Sequence, residues 1–242
     1  MSTKSFKSDL YKLKKNTFTQ PLVSANIVTE GLVTHLDASN YSSYSGSGTT
    51  WFDLSGNGNN ATLVGSPTWD STNGGRFTLN GTSQYMSGTF PLNNNAFTIS
   101  FTVQNTIRAG DAQLFSLGSP EKILIYTGSG FDSSISVYSP TIYNTTPRYS
   151  MHTMEVGKWY NITITYNNTT SDMYINGRLA YSLSSSLVNT TVGSETWNLG
   201  RRFEGGGMNA GGYYGNLMLY NKALSAQDIS KNFNTFRSKY GI

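Results

Sequence analysis

Residues 158–183, KWYNITITYNNTTSDMYINGRLAYSL, decide how this chain folds. From Tyr160 the large side chains fall on every second position, at Tyr160, Ile162, Ile164 and Tyr166, with Asn161, Thr163 and Thr165 between them. A period of two built from β-branched and aromatic residues predicts a strand with one dry face and one wet face. Asn167 to Asp172 is polar and predicts a turn, after which Met173 and Ile175 resume the alternation. Asn176-Gly177 tolerates positive φ at both positions, as a type I′ hairpin turn requires. Leu179, Tyr181 and Leu183 carry the pattern onward. Three antiparallel strands are written into one stretch, and the class they predict is all-β.

The same signals extend in both directions. Leu32, Thr34 and Leu36 alternate with Val33, His35 and Asp37, and Ala61–Val64 reads as another strand. Further strands are predicted at Arg76–Asn80, Tyr85–Ser87, Phe97–Val103, Gln113–Leu117, Lys122–Tyr126, Ser134–Tyr138, Arg148–Met154, Thr196–Leu199 and Tyr214–Tyr220. Turn signals such as Asn73-Gly74-Gly75, Asn80-Gly81 and Ser119-Pro120 separate them. Many short strands punctuated in this way predict a two-sheet antiparallel β-sandwich. One short C-terminal helix is legible: Ser225 is its N-cap, Asp228 completes an acidic capping box, and Gly241 ends it. Ile229, Phe233, Phe236 and Tyr240 form a stripe at helical spacing that is expected to pack on the sandwich.

With 242 residues the chain has room for one large β domain, and it holds no cysteine, so neither disulfides nor thiolate metal sites enter. Charged residues are only 12% of the chain and the net charge is +4. Lys4, Lys7, Lys12, Lys14 and Lys15 account for that excess, with Asp9 the single acid among them. Residues 1–29 therefore read as a basic N-terminal arm, and residues 30–242 as a nearly neutral domain with no nucleic-acid-binding face. No run is long and apolar enough for membrane insertion. The N-terminus lacks the apolar core of a secretory signal, so work outside a cell implies exit by lysis or inside a particle. The arm is either a solvated tail or a docking arm; in the second case Phe6, Leu10, Tyr11, Leu13 and Phe18 anchor on a partner while Lys12, Lys14 and Lys15 meet its acidic surface.

The fragments GLVTHLDASN, WFDLSGNGNNAT, KWYNITITYN with MYINGRL, WNLGRR and YYGNLMLYNKALSAQDI, in this order over about residues 30–242, resemble a laminin G-like domain of the concanavalin A-like lectin/glucanase superfamily. The resemblance implies a jelly-roll sandwich with a short helix after the last strand. The opening and closing segments are similar to domains found in structural proteins of tailed bacteriophages and other large viruses. Fold alone assigns no function, but that association implies a non-enzymatic virion structural protein on the surface of head or tail, in many copies or as an oligomer. The arm would bind other virion proteins, and the sandwich would decorate the surface or adhere to host glycans. The alternative is a free calcium-dependent carbohydrate-binding module.

Glucanases of this superfamily place two carboxylates on one strand, spaced E-x-D-x-x-E, so that both flank one glycosidic bond. Here no two acids lie two to four residues apart, and the only histidines are His35 and His152, so no enzyme is expected. The loop Asp53 to Asn60 carries two readings. As a calcium site, Asp53 is the carboxylate ligand, Asn57 and Asn59 add oxygens, and Asp37 folds in beside them, toward the about six to eight oxygens calcium takes. As a structural loop, Asp53 caps its own turn. Candidate glycan platforms are Tyr41, Tyr44, Trp51, Trp69, Tyr143 and Tyr149, whose rings either stack on sugar faces or fill the core. The segment 204–215, EGGGMNAGGYYG, is either mobile or pressed against something.

Overall fold

The computed structural model describes residues 27–92, 96–106, 112–127, 134–139, 153–184, 193–203 and 208–242. Its strands are β1 (Leu32–Asp37), β2 (Thr50–Trp51), β3 (Ala61–Val64), β4 (Thr68–Asp70), β5 (Arg76–Asn80), β6 (Tyr85–Leu92), β7 (Phe97–Asn105), β8 (Ala112–Leu117), β9 (Ile123–Thr127), β10 (Ile135–Tyr138), β11 (Trp159–Tyr166), β12 (Ser171–Ile175), β13 (Arg178–Leu183), β14 (Gly193–Leu199), β15 (Met208–Asn209) and β16 (Gly211–Tyr220). A single α-helix, α1 (Ala226–Tyr240), follows among the described residues. The strands form two eight-stranded sheets. One runs β13-β12-β11-β7-β16-β5-β4, with β1 also on β16; the other runs β10-β9-β8-β14-β6-β3-β2, with β15 on β8. All pairings are antiparallel except that of β15 with β8. The two-sheet sandwich expected from the sequence is present.

The opening stretch forms β11, β12 and β13, with Asn176 and Gly177 at φ of 50° and 73° in the connecting turn. Tyr160, Ile162, Ile164 and Tyr166 face the shared interior together with Ile99 and Phe101 of β7. Aromatic rings bridge the sheets: Phe101 stacks on Phe115 of β8 at 5.9 Å, and Phe115 stacks on Trp197 of β14 at 6.3 Å. Such pairs add to the stabilisation their buried area already provides.

The expected wet face of β11 is not wet. Asn161, Thr163 and Thr165 are all buried. A second apolar cluster lies on this outer side, where Trp159, Tyr174, Met218 and Tyr220 meet Ile229, Phe236 and Tyr240 of α1. Polar groups beside it therefore need partners, since a buried group without one costs several kcal/mol at worst. They find one another: Ser100 pairs with Thr163 at 2.7 Å, Asn161 donates to Ser100 and Phe101, and Thr102 donates to Asn216.

The helix that roofs this face begins as expected. Ser225 accepts from the Asp228 N–H, the Asp228 carboxylate accepts from the Ser225 N–H, and Gly241 ends the helix at φ 69°. Ser225→Ala leaves one first-turn N–H without its acceptor. It is expected to cost about 1 kcal/mol, read as a fall of about 2–4 °C in melting temperature for a chain of this size. Chain entry is fixed to the same helix: the Val28 N–H donates to Asn232, and the Tyr220 hydroxyl donates to the Val28 carbonyl. The packed unit thus takes in residues 27–29, assigned above to the arm; the remaining arm residues, including Phe6, Leu10, Tyr11, Lys12, Leu13, Lys14, Lys15 and Phe18, lie outside the described residues. So does most of the predicted Arg148–Met154 strand, though Thr153 bridges Ser134. Of the glycine-rich segment 204–215, the last residue is pressed against something: a Cβ at Gly215 would sit 2.1 Å from the Tyr240 hydroxyl.

Candidate functional site

The octet Asp53 to Asn60 folds onto the strand edge of β1 that faces away from β16. His35 donates its N–H to Asp53 Oδ1 at 2.8 Å and accepts from the Leu54 N–H at 2.8 Å. Ser55 Oγ, Asn57 Nδ2 and Asn59 Nδ2 all donate to the Val33 carbonyl, and Asn57 also reaches Leu32. An open edge offers unpaired donors and acceptors to other chains; here loop side chains occupy them.

Asp53 holds the loop in shape. Its Oδ1 also accepts from the Ser55 N–H at 2.9 Å, and its Oδ2 accepts from the Ser55 hydroxyl at 2.7 Å and the Asn59 N–H at 3.0 Å. Burial by itself would raise the carboxyl above the usual aspartate value, but the donors from His35, Ser55 and Asn59 together bring it below. Asp37 is engaged elsewhere, with Ser39 and, at 3.2 Å, with Lys239 of α1. Burial holds His35 below the ordinary imidazole value; Asp37 and Asp53 oppose this, and Lys239 adds to it.

The calcium arrangement does not fit this geometry. A hard cation needs oxygen lone pairs, whereas both Asp53 oxygens already accept from N–H and O–H donors. Asn57 and Asn59 turn their amide nitrogens to Val33. Asp37 is drawn to Lys239 rather than into the loop. Among the described residues no three His, Asp or Glu side chains group as metal ligands. The second reading, Asp53 capping its own turn, matches the observed hydrogen bonds.

The aromatic candidates divide. Trp51 is fully buried with its ring 5.0 Å from Phe77, and Tyr44 is buried 4.8 Å from the same ring, so neither can meet a ligand. Trp69 is partly buried and donates its indole N–H to the Ala38 carbonyl. Tyr143 and Tyr149 lie outside the described residues. Tyr41 stands out, at 80% exposed on the tip of the turn that Asn40 closes by accepting from the Ser43 and Tyr44 N–H groups. Beside that turn is an aromatic residue not among the candidates. Phe52 is 51% exposed; its N–H donates to the Ser43 carbonyl at 2.8 Å, and Ser43 Oγ donates back to the Phe52 carbonyl. Phe52 directly follows β2, whose Trp51 turns into the core. Tyr41 and Phe52 thus lie on adjoining, cross-bonded segments at one end of the sandwich, with the Asn60 side chain accepting from the Asp53 N–H next to them.

The described carboxylates are all engaged. Glu30 pairs with Lys222, Asp70 with Arg76, Glu121 with Arg202, Glu155 with Lys158 and Glu195 with Lys122. Asp172 accepts from Ser182, and Asp228 caps α1.

Solved structures with the same fold include the sialidase of Trypanosoma rangeli bound to the inhibitor DANA, at a TM-score of 0.65 and 18% identity, covering 94% of this chain and 38% of that one. Domain 4 of AbnA, an extracellular arabinanase from Geobacillus stearothermophilus, solved with arabinotriose, gives 0.62 and 18% over 83% of this chain and 97% of that one. The binding domain of botulinum neurotoxin DC, solved with rat synaptotagmin II, gives 0.65 and 17% over 86% and 52%. The chain therefore spans well under half of the sialidases it is similar to, and at these identities the likeness concerns the fold alone. No curated protein matches it by sequence. The model of the concanavalin A-like lectin/glucanases superfamily matches residues 79–230. That span takes in β6 to β16 and the first residues of α1, including strands of both sheets, and the chain belongs to this superfamily.

Proposed function

We propose that this protein is a non-enzymatic adhesion and surface-display sandwich that binds glycans, carried in many copies on the head or tail of a virus particle of the tailed-phage kind. The observation that carries the glycan part is the placement of Tyr41 and Phe52. Large exposed apolar side chains are few among the described residues, and two of them share one cross-bonded loop pair. Rings offered to solvent with hydroxyls and amides around them suit the apolar face and rim of a sugar. A related fold bound to arabinotriose is consistent with this use. The engaged carboxylates favour binding over hydrolysis, because a general acid and base need free carboxyl groups flanking the bond. The particle context rests on the motif resemblance and on the basic composition of residues 1–26.

One experiment addresses both parts. The full chain, Tyr41→Ala, Phe52→Ala and a form lacking residues 1–26 are applied to a glycan array and mixed with particles that lack the protein. Neutral-glycan binding should fall about tenfold in each aromatic variant, the size expected for losing one stacked ring at a partly exposed site. The truncated form should keep glycan binding and lose attachment to particles. Unchanged glycan binding in both aromatic variants refutes the platform, and unchanged attachment refutes the docking arm.

A further inference from the structure

A groove of about 700 Å³ lies between the β12–β13 turn and α1, away from the Tyr41–Phe52 loops. Asn176, Arg178 and Leu179 line it from the hairpin, and Phe233, Asn234 and Arg237 from the helix. We propose that it is a second binding site, and that it takes a glycan bearing carboxylate groups. The ligand class rests on the adhesion reading; the site and its charge preference do not.

Charge comes first. The charged side chains lining the groove are Arg178 and Arg237, both exposed; Ile242 lines it too, so in this chain one main-chain carboxylate stands against two guanidiniums and the balance is positive. Neither is ion-paired among the described residues, although Arg76 and Arg202 elsewhere have carboxylate partners. Two like charges facing one concavity raise a positive potential that draws anions. A guanidinium presents a rigid fork that matches a carboxylate with two parallel hydrogen bonds.

Shape and polarity narrow the ligand. Leu179 is 56% exposed, another of the few large apolar side chains left open to solvent, and Phe233 forms apolar floor below it. The Asn176 side-chain oxygen Oδ1 accepts from the Asn161 N–H, which leaves its side-chain Nδ2 as a donor, and Asn234 adds a second amide. Apolar patches, amides and cations together suit a carboxylated sugar better than a bare inorganic anion. The volume is that of a small-ligand site. The walls are also fixed: a Cβ on Gly177 would lie 2.7 Å from the Phe233 ring, so turn and helix are in direct contact at the base. Gly177 sits at φ 73°, a conformation that glycine adopts without strain.

The test is calorimetric titration of the full chain with trigalacturonic acid and with the same trisaccharide methyl-esterified. The acid form is expected to bind, about tenfold tighter than the ester, and Arg178→Gln or Arg237→Gln is expected to weaken it about tenfold. Raising salt should weaken the acid form alone. Tyr41→Ala and Phe52→Ala should leave trigalacturonate affinity unchanged, which separates this site from the loop platform: either can fail without the other. Equal binding of acid and ester, binding unaltered in the double arginine variant, or no binding up to the solubility limit would each overturn the proposal. So would tighter binding of a glutamate-rich hexapeptide of equal charge, which would make the groove a peptide site.

Discussion

Asp53→Ala is expected to lower the unfolding free energy by about 3 kcal/mol, measured by urea denaturation. The estimate follows from what the carboxylate accepts: the N–H groups of His35, Ser55 and Asn59 and the Ser55 hydroxyl. Hydrogen bonds to a charged acceptor contribute about 1.5–3 kcal/mol each in favourable cases, and donors left without a partner cost more than the bond was worth. Water reaches part of the loop and replaces some of them, which keeps the total well below a simple sum. The loss should not stay local, because the octet also occupies the β1 edge through Val33 and His35. With the loop loosened, that edge becomes available to other chains, and Asp53→Ala should show concentration-dependent association by light scattering. Asp53→Asn keeps the shape but can accept on one oxygen only, and an intermediate loss is expected. The pH dependence has a definite sign. The folded-state carboxyl titrates below the ordinary aspartate value of about 3.9, so its contribution is complete above that pH and disappears as pH falls through the lower, folded value. The wild type should therefore lose stability relative to Asp53→Asn as pH falls below about 4; parallel curves would show that the carboxylate charge is not what the donors hold.

How far the sequence could be read depended on the range of the signal. The Asn176-Gly177 turn and the Ser225, Asp228 and Gly241 caps are local, each decided within a few residues, and each is where the pattern put it. The inner face of β11 was legible for the same reason. Its outer face was not: Asn161, Thr163 and Thr165 look solvated until α1, more than sixty residues later, roofs the neighbouring strands. In the Asp53 octet composition could not separate two chemistries. Asp and Asn offer oxygens to a metal and also fold back on backbone groups, and the carbonyls that decide the matter belong to Leu32 and Val33, about twenty residues upstream. Phe52 escaped notice because β2 is only two residues long, too short to display a period. Strand β6, predicted over Tyr85–Ser87, continues through Gly88 and Pro91 to Leu92.

Gly88 breaks nothing because it serves the ring opposite. It pairs directly with Trp197 across the β6–β14 ladder, and a Cβ placed on it would lie 2.6 Å from the indole. Trp197 is fully buried and stacks on Phe115, so it spans the middle of one sheet and leans on the ring that meets the other. Trp197→Ala should cost about 4 kcal/mol, the usual range for removing a large buried aromatic residue with incomplete collapse around the space. Gly88→Ala alone should also destabilise, by about 1–3 kcal/mol, because the methyl group has no room beside the ring. Placed together, the two changes should not add. Once the indole is gone the new methyl group enters the space it left, and alanine is otherwise the better strand residue because it loses less backbone entropy on folding. Gly88→Ala in the Trp197→Ala background is thus expected to be neutral or stabilising, a coupling of at least about 1 kcal/mol in a double-mutant cycle. Strict additivity would mean that Gly88 is required for its backbone and not for the cleft it leaves, and the two strands would then be paired for reasons unconnected with the tryptophan between them.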